Sequence, residues 1–468
     1  MIESVRTAFT LPEVRRKILF TIGMLVIYRL TANIPVPGVD IDAWLQFAAS
    51  GQGQEGLLGV LDLLSGGAVS NFSVMAMGVY PYITASIIIQ LLTPVIPYLE
   101  EMASEGESGR NRLNKITYYL TVPLALLQAV GQVNLVGLTF GGGTGNALEF
   151  IMPNFGFGSA AMILPTMTTL LAMVGGTMFA IWLGEQITEN GVGQGISLII
   201  FGGIASQIPL NLINLFTSTQ DQQTDRFISL ASFVLITIAT VLVIVFIQEG
   251  ERRVPVQYGR RVRGRKVYQG QSTHVPLKVN TAGMIPIIFA QSILTFPSLA
   301  ASFFVPPLET ADEGFGAALA RTVAQGFNQG ANLDVNPIAP AIYWLFMFLF
   351  VVGFTFFYTD VMVRQQKLAE NLQRRGGFIP GIRPGKKTDE YITAVVRRVT
   401  FVGAVYLGLV AVLPGFFQYL GWFLNIQGLG LSSLIISGSG LIIVVGVVID
   451  TMRQIEAQLI MRNYESSL

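Results

Sequence analysis

The residues of this chain that could carry covalent chemistry are few, and their spacing speaks against a catalytic assembly. Ser439, between Gly438 and Gly440, has the flanks of a serine nucleophile, but the single histidine, His274, lies in a distant basic segment and cannot serve it as a base. There are no cysteines, which excludes disulfides, thiolate metal sites and cysteine nucleophiles. One histidine likewise excludes a multi-histidine metal centre. The carboxylates nearest the apolar stretches, Glu185, Asp360 and Asp450, fall at their ends rather than opposite one another. No GxxxxGK phosphate loop is present, so any energy-driven work must draw on a partner. The expectation is a protein without catalytic residues, cofactor or bound metal.

What chemistry remains is apolar. Ile83 and Ile87, and Ile196 and Ile200, are i, i+4 pairs that put two isoleucines on one helical face. Ile288 and Ile443 add the same side chain from two further stretches. Around a cavity, such a ring makes a dry constriction that closes about whatever passes. Isoleucine is also ordinary filler in a membrane span, and the residues alone leave both readings open.

The elements that must position these residues are membrane spans. Of 468 residues, 51% are hydrophobic and 12% charged, and the mean hydropathy is +0.58; soluble domains carry about 25% charge. Apolar stretches of span length recur at roughly 18–34, 75–97, 116–136, 159–184, 196–216, 227–248, 280–301, 340–360, 399–421 and 431–449. An even number of spans puts both termini on one side. All lysines and arginines except Arg29, Arg226 and Arg321 lie in the terminal segments or in alternate loops at 98–115, 249–279 and 361–398. By the positive-inside rule these loops and both termini are cytoplasmic. The first apolar run continues through Arg29 into NIPVPGVD without a small-residue cleavage site, so no cleaved signal peptide is expected.

One stretch breaks the pattern. Residues 56–64, GLLGVLDLL, would make only ~14 Å of helix at ~1.5 Å per residue. That is under half of the ~30 Å of a bilayer core. SGGAVSNFS interrupts the chain before a full apolar span with Pro81 near its start and Pro94 and Pro97 at its end. A half-helix feeding a whole one is tolerated only where it is buried in protein or faces a water-filled cavity. A helix lying in the membrane interface is the alternative.

Two of the basic loops are large. Residues 249–278 alternate apolar and basic side chains around Gly259 and Gly264, the pattern of a projecting hairpin. Residues 363–392 contain RRGGFIPGIRPGKK, whose glycines and prolines force a compact irregular tip. Such protrusions suit RNA phosphate or an acidic protein face, although membrane orientation alone would account for their charge. The chain also repeats itself. P-x-I-x-A occurs at Pro81 and again at Pro286, and GVGQGISLII from Gly191 is echoed by SGSGLIIVV from Ser437. Both pairs are five spans apart and run in opposed directions, the signature of two inverted five-span halves with function on the axis between them. A secondary transporter shares this plan but needs a polar midplane, which the second, fifth, seventh and tenth spans lack. A membrane insertase without a through-pore would not need the half-helix.

Seven segments in this order, NIPVPGVD (33–40), LSGGAVSNFSVMAMGVYPYITASIIIQLLTP (64–94), EGESGR (105–110), ITENGVGQGISLIIF (187–201), GQSTHVPLKVNTAGMIP (270–286), GGFIPGIRPG (376–385) and the terminal NYESSL, carry a resemblance over essentially the whole length. The chain resembles the SecY family, the channel subunits of the bacterial protein-translocation machinery. The resemblance implies an all-α polytopic membrane protein with ten transmembrane helices in two inverted five-helix halves, 1–216 and 217–468, around a central pore. It implies passage of unfolded polypeptide across the cytoplasmic membrane and lateral release of transmembrane segments into lipid. It assigns a pore ring to Ile83, Ile87, Ile196, Ile200, Ile288 and Ile443. A plug at about 56–74 would include Leu61, Asp62, Leu63, Leu64, Ser65, Gly66 and Gly67. A lateral gate would lie between the second and third spans and the seventh and eighth, with Asn280 and Gln90 as a polar pair. Docking of SecA ATPase and the translating ribosome would use Arg252, Arg253, Arg260, Arg261, Arg263, Arg265 and Lys266 in the first loop. In the second loop it would use Arg374, Arg375, Lys386, Lys387 and, foremost, Arg383. SecE and SecG subunits, signal sequences, nascent chains and membrane lipid are the further partners implied. The tail after Tyr464 is short, leaving little for C-terminal contacts.

Overall fold

A helix occupies each of the ten apolar stretches. The structure, a computed structural model, describes residues 11–41, 44, 65, 67–69, 71–140, 151–153, 155–156, 159–218, 223–258, 261–263, 266–268, 272–302, 338–366, 368–424 and 438–465. Helix α1 (Pro12–Thr31) starts on proline, whose missing N–H costs nothing in a first turn. It is followed by α2 (Tyr80–Leu92), α3 (Pro97–Ser104), α4 (Glu107–Phe140), α5 (Ala160–Asn190), α6 (Gly195–Ser218) and α7 (Gln223–Gln248). Strands β1 (Glu251–Tyr258), β2 (Arg261–Arg263), β3 (Lys266–Tyr268) and β4 (Ser272–Lys278) come next. Then follow α8 (Ile285–Ser302), α9 (Ile338–Gln366), α10 (Leu368–Arg374), β5 (Gly377–Phe378), α11 (Lys386–Leu424) and α12 (Gly438–Glu465). Among the described residues, four helices are long and apolar enough to cross a membrane, or five if the bent pair α2–α3 is one span.

The second apolar stretch departs from the continuous span expected of it. Residues 71–79 are mostly turns, and α2 has only 13 residues, ~20 Å of helix. Pro81 in its first turn accounts for the start. Pro94 and Pro97 account for the end, where the chain bends by 100° into α3. The irregular backbone survives because it is buried and its polar groups are met. The amides of Val36 and Val74 donate to Phe72 O and Ile34 O at 3.0 Å each, and Gln132 Nε2 donates to Ala76 O at 3.4 Å. Gly176 on α5 lies so close that a Cβ there would collide with the Val74 carbonyl. Met75, Ala76, Met77 and Val79 are all buried. These are the conditions under which non-helical chain is tolerated inside a membrane protein.

One apolar core runs through α1, α2, α4–α9, α11 and α12. Neighbours repeat along the chain: α2·α4, α4·α5, α5·α6 and α1·α6 pack together, and so do α8·α9, α9·α11, α11·α12 and α7·α12. The two sets touch through α2·α8, α4·α8, α6·α12 and, where they follow in sequence, α6·α7. Outward faces carry large exposed apolar side chains, such as Leu19 and Val26 on α1, Leu242 and Phe246 on α7, and Phe401 and Leu409 on α11. Surfaces of that kind belong against lipid or partner chains rather than water.

The two basic loops form a single body. β1 pairs antiparallel with β4 on one side and with β5, from the second loop, on the other. The short β2–β3 pair extends the hairpin expected over 249–278. Val254, Val256 and Leu277 of the hairpin share a small core with Ala369, Leu372, Ile379, Ile392 and Val396.

Candidate functional site

The isoleucines singled out by type and spacing all lie in or against the main core. Ile83 and Ile87 on α2, Ile200 on α6, Ile288 on α8 and Ile443 on α12 are all buried in the main core. Ile196 is half-buried against that core, and its Cγ1 stands 3.0 Å from where a Cβ on Gly184 would be, so it also packs on α5. These six side chains present only hydrocarbon. They offer no group that would hold an ion or a polar solute.

Of the segment read as a plug, Ser65 and Gly67 are described; Leu61, Asp62, Leu63, Leu64 and Gly66 lie outside the described residues. Ser65 is buried, and its carbonyl accepts from the Tyr28 hydroxyl at 2.7 Å. Gly67 has φ 84°, a left-handed turn that glycine adopts without cost.

The expected pairing of Asn280 with Gln90 is not made. Asn280 Nδ2 donates to Gln248 Oε1 at 3.0 Å and to Gly283 O at 3.1 Å, and the residue is buried. The reason is local. Asn280 follows β4 while Gln248 ends α7 just before β1, so the two face each other across the neck of the hairpin, below the Val279 N to Gly250 O bond. Gln90 is satisfied within its own helix, with Nε2 donating to Ser86 Oγ at 3.0 Å. What does join α2 to α8 is Tyr80, whose hydroxyl donates to Ser292 O at 3.1 Å. Gln128 on α4 reaches Thr84 Oγ1 of α2 at 3.3 Å. Sequence reasoning missed these contacts. Gln128 and Gln132, four apart in an apolar stretch, were a usable signal of polar helix–helix contact, and Gln248 and Asn280 flank the hairpin symmetrically. Glu185, read as a carboxylate at a helix end, lies near Tyr118, whose ring stacks on Tyr82 at 5.5 Å.

On the fused loops, Arg252, Arg253, Arg374, Arg375, Arg383, Lys386 and Lys387 are exposed. Arg261, Arg263 and Lys266 lie on β2 and β3, while Arg260 and Arg265 fall outside the described residues. Arg253 pairs with Glu251 at 2.7 Å, Arg374 with Glu370 at 2.6 Å and Lys387 with Glu390 at 3.0 Å. Arg383 makes no ion pair among the described residues; its carbonyl accepts from Thr388 Oγ1 at 3.0 Å. It sits between Gly381 and Gly385, with φ 81° and 101°, in a tip that only glycine makes without strain.

The model of the SecY family matches residues 73–452. "Protein translocase subunit SecY" of Halalkalibacterium halodurans is 42% identical over 99% of both chains. The chain belongs to the SecY family. As a SecY chain it is a protein-conducting translocation channel of a bacterial membrane, and not an enzyme. Solved structures share the fold. A SecY protein whose plug domain stabilises the closed state matches with a TM-score of 0.61 at 18% identity, covering 97% of this chain and 96% of that one. Sec61 in the canine ribosome–channel complex matches with a TM-score of 0.54 at 17% identity and the same coverage.

Proposed function

We propose that this SecY chain is a gated passage for unfolded polypeptide, closed at rest by an isoleucine ring and a plug. It opens across the membrane and also sideways, between α2/α4 and α8/α9. The observation that supports the reading is that Ile83, Ile87, Ile200, Ile288 and Ile443, from four helices, are all buried in the one main core that also holds the irregular segment before α2. A chain threading such a ring meets no group that binds it, so it is not held, and the aliphatic walls close around it against water.

Ten spans in two inverted halves, 1–216 and 217–468, are supported by the repeated neighbours described above and by P-x-I-x-A on α2 and α8. In that arrangement both termini and the fused basic loops are cytoplasmic. The loops then serve as the dock for SecA and for the translating ribosome, in keeping with the ribosome-bound Sec61 relative. SecE and SecG are the companion subunits, and signal sequences enter at the α2–α8 seam. Reconstitution in vesicles with a secretory substrate tests the reading. Transport should need both SecA and ATP, and the absence of any protected product with both present would reject it.

A further inference from the structure

We propose that the cytoplasmic end of α12 is a strap that binds the second half of the chain to the first. It keeps α6 and α12 together while α2 and α8 part. This rests on the two halves and the seam proposed above and goes beyond them by naming residues that hold the other side. Within the main core α12 packs on α7 and α11, of its own half, and on α6. Past residue 449, where its apolar stretch ends, it runs on to Glu465. There Thr451, Gln454, Ile455 and Leu459 recur at three- and four-residue spacing, one face of a helix. That face meets the first half. Ile455 and Leu459 share a small core, separate from the main one, with Val14 of α1 and Val192 of the α5–α6 turn, and none of the four is more than 9% exposed. Gly193 N donates to Gln454 Oε1 at 3.0 Å, and a Cβ on Gly193 would stand 3.1 Å from Thr451 Oγ1.

The strap differs from the α2–α8 seam in its surroundings. Val14 is followed by Arg15, Arg16 and Lys17, and Ile455 lies among Asp450, Arg453 and Glu456. Such charges keep this small core outside the hydrocarbon layer. Inside a bilayer apolar contacts are exchangeable, because a lipid tail or an apolar helix offers nearly the same contacts. Apolar contacts bathed in water are not, since parting them exposes each side chain to water. An apolar segment can therefore wedge α2 from α8, whereas nothing in lipid replaces the strap. The consequence falls on the isoleucines. Ile196 and Ile200 stand on α6 just after the strapped turn. Ile443 lies eleven residues before Gln454, about three helical turns along the same side of α12. Fastening the turn to α12 holds these isoleucines together while Ile83, Ile87 and Ile288 move with the parting helices.

The chain has no cysteine, so an introduced pair reports alone when the companion subunits lack cysteine too. The full chain with those subunits is placed in vesicles with the driving ATPase and a secretory substrate. Val14→Cys/Leu459→Cys and, as a second pair, Val192→Cys/Ile455→Cys are bridged with a short reducible bis-thiosulfonate reagent. Both should bridge at rest and transport as well bridged as unbridged. A bridge that blocks transport until it is reduced overturns the strap, and so does failure of both pairs to bridge. Ile455→Ala/Leu459→Ala should raise the resting ion leak roughly tenfold, the scale of emptying a small core. When Ile455→Ala is added to the first pair, the leak should appear on reduction and vanish on bridging, which separates a parted seam from general unfolding. A leak unchanged by the double alanine variant, or one that bridging leaves in place, also overturns the strap. The same reagent across cysteines placed in 84–91 and 284–292 tests the seam itself. If that bridge leaves transport intact, α2 and α8 are not the gate; if it blocks transport and the Val14–Leu459 bridge blocks it equally, the gate stands and the strap falls.

Discussion

The backbone N–H of Gly193 donates to Oε1 of Gln454 at 3.0 Å, fastening the turn between α5 and α6 to the later part of α12. Val192 N meets Thr21 Oγ1 at 3.1 Å beside it, and Arg453 pairs with Glu249 at 2.9 Å. With α6 packed on α12, this side of the molecule is pinned by polar contacts, whereas the α2–α8 side is held mainly by aliphatic ones.

Loosening the pin should cost stability in a set order. Gln454→Ala strands a part-buried amide and should cost about 1–3 kcal/mol. Gly193 has φ 89°, and a Cβ there would stand 2.8 Å from Leu198 Cδ1 and 3.1 Å from Thr451 Oγ1. Gly193→Ala adds a left-handed penalty of about 1–2 kcal/mol to an overpacking cost of about 1–3 kcal/mol. Thermal unfolding in detergent should rank the parent above Gln454→Ala and that above Gly193→Ala.

Changing Ile83, Ile87, Ile196 and Ile288 together to serine should hydrate the constriction. Ion conductance of resting vesicles should rise, and substrates with weak signals should pass more readily. A quadruple variant as tight as the parent would place the constriction elsewhere.

Deleting residues 61–70 should leave the protein folded and raise the resting ion leak, because Ser65 is buried and bonded to Tyr28 of α1, and Gly67, Ala68 and Val69 are buried as well. An unchanged leak would return the segment to the interfacial-helix reading.

Arg383→Glu should abolish SecA-driven transport while expression and membrane insertion persist. Arg374 and Lys387 already have carboxylate partners, whereas the Arg383 guanidinium has none among the described residues. Arg374→Ala should therefore act more weakly, since exposed pairs contribute only about 0–1 kcal/mol. Normal stimulated transport by Arg383→Glu would remove the tip from the docking surface.

The sequence made the large features readable because they are properties of composition. Ten apolar stretches, a basic hairpin and paired isoleucines need no knowledge of partners. The start of α2 was not readable, because VMAMGV in the turn before it is as apolar as the helix that follows; only Pro81 marks the boundary. The side-chain partner of Asn280 was not readable, because a residue type does not carry the side chain that faces it. Its partner Gln248 is brought there by closure of the hairpin. Tyr80 had no local signal at all, since its acceptor is a backbone carbonyl 212 positions away.

The joining of β5 to β1 has a further consequence. The strand after those pairings, β4, runs through the Asn280 neck into α8, the helix that bears Ser292. Under the proposed function, a body seated on the loops and an apolar helix entering the seam would act on one length of chain. Thermodynamic linkage makes such action mutual. Whatever factor docking contributes to parting α2 from α8, an inserted helix returns as tighter docking. Occupancy of the seam would then be audible from outside the membrane, as slower departure of whatever sits on the loops.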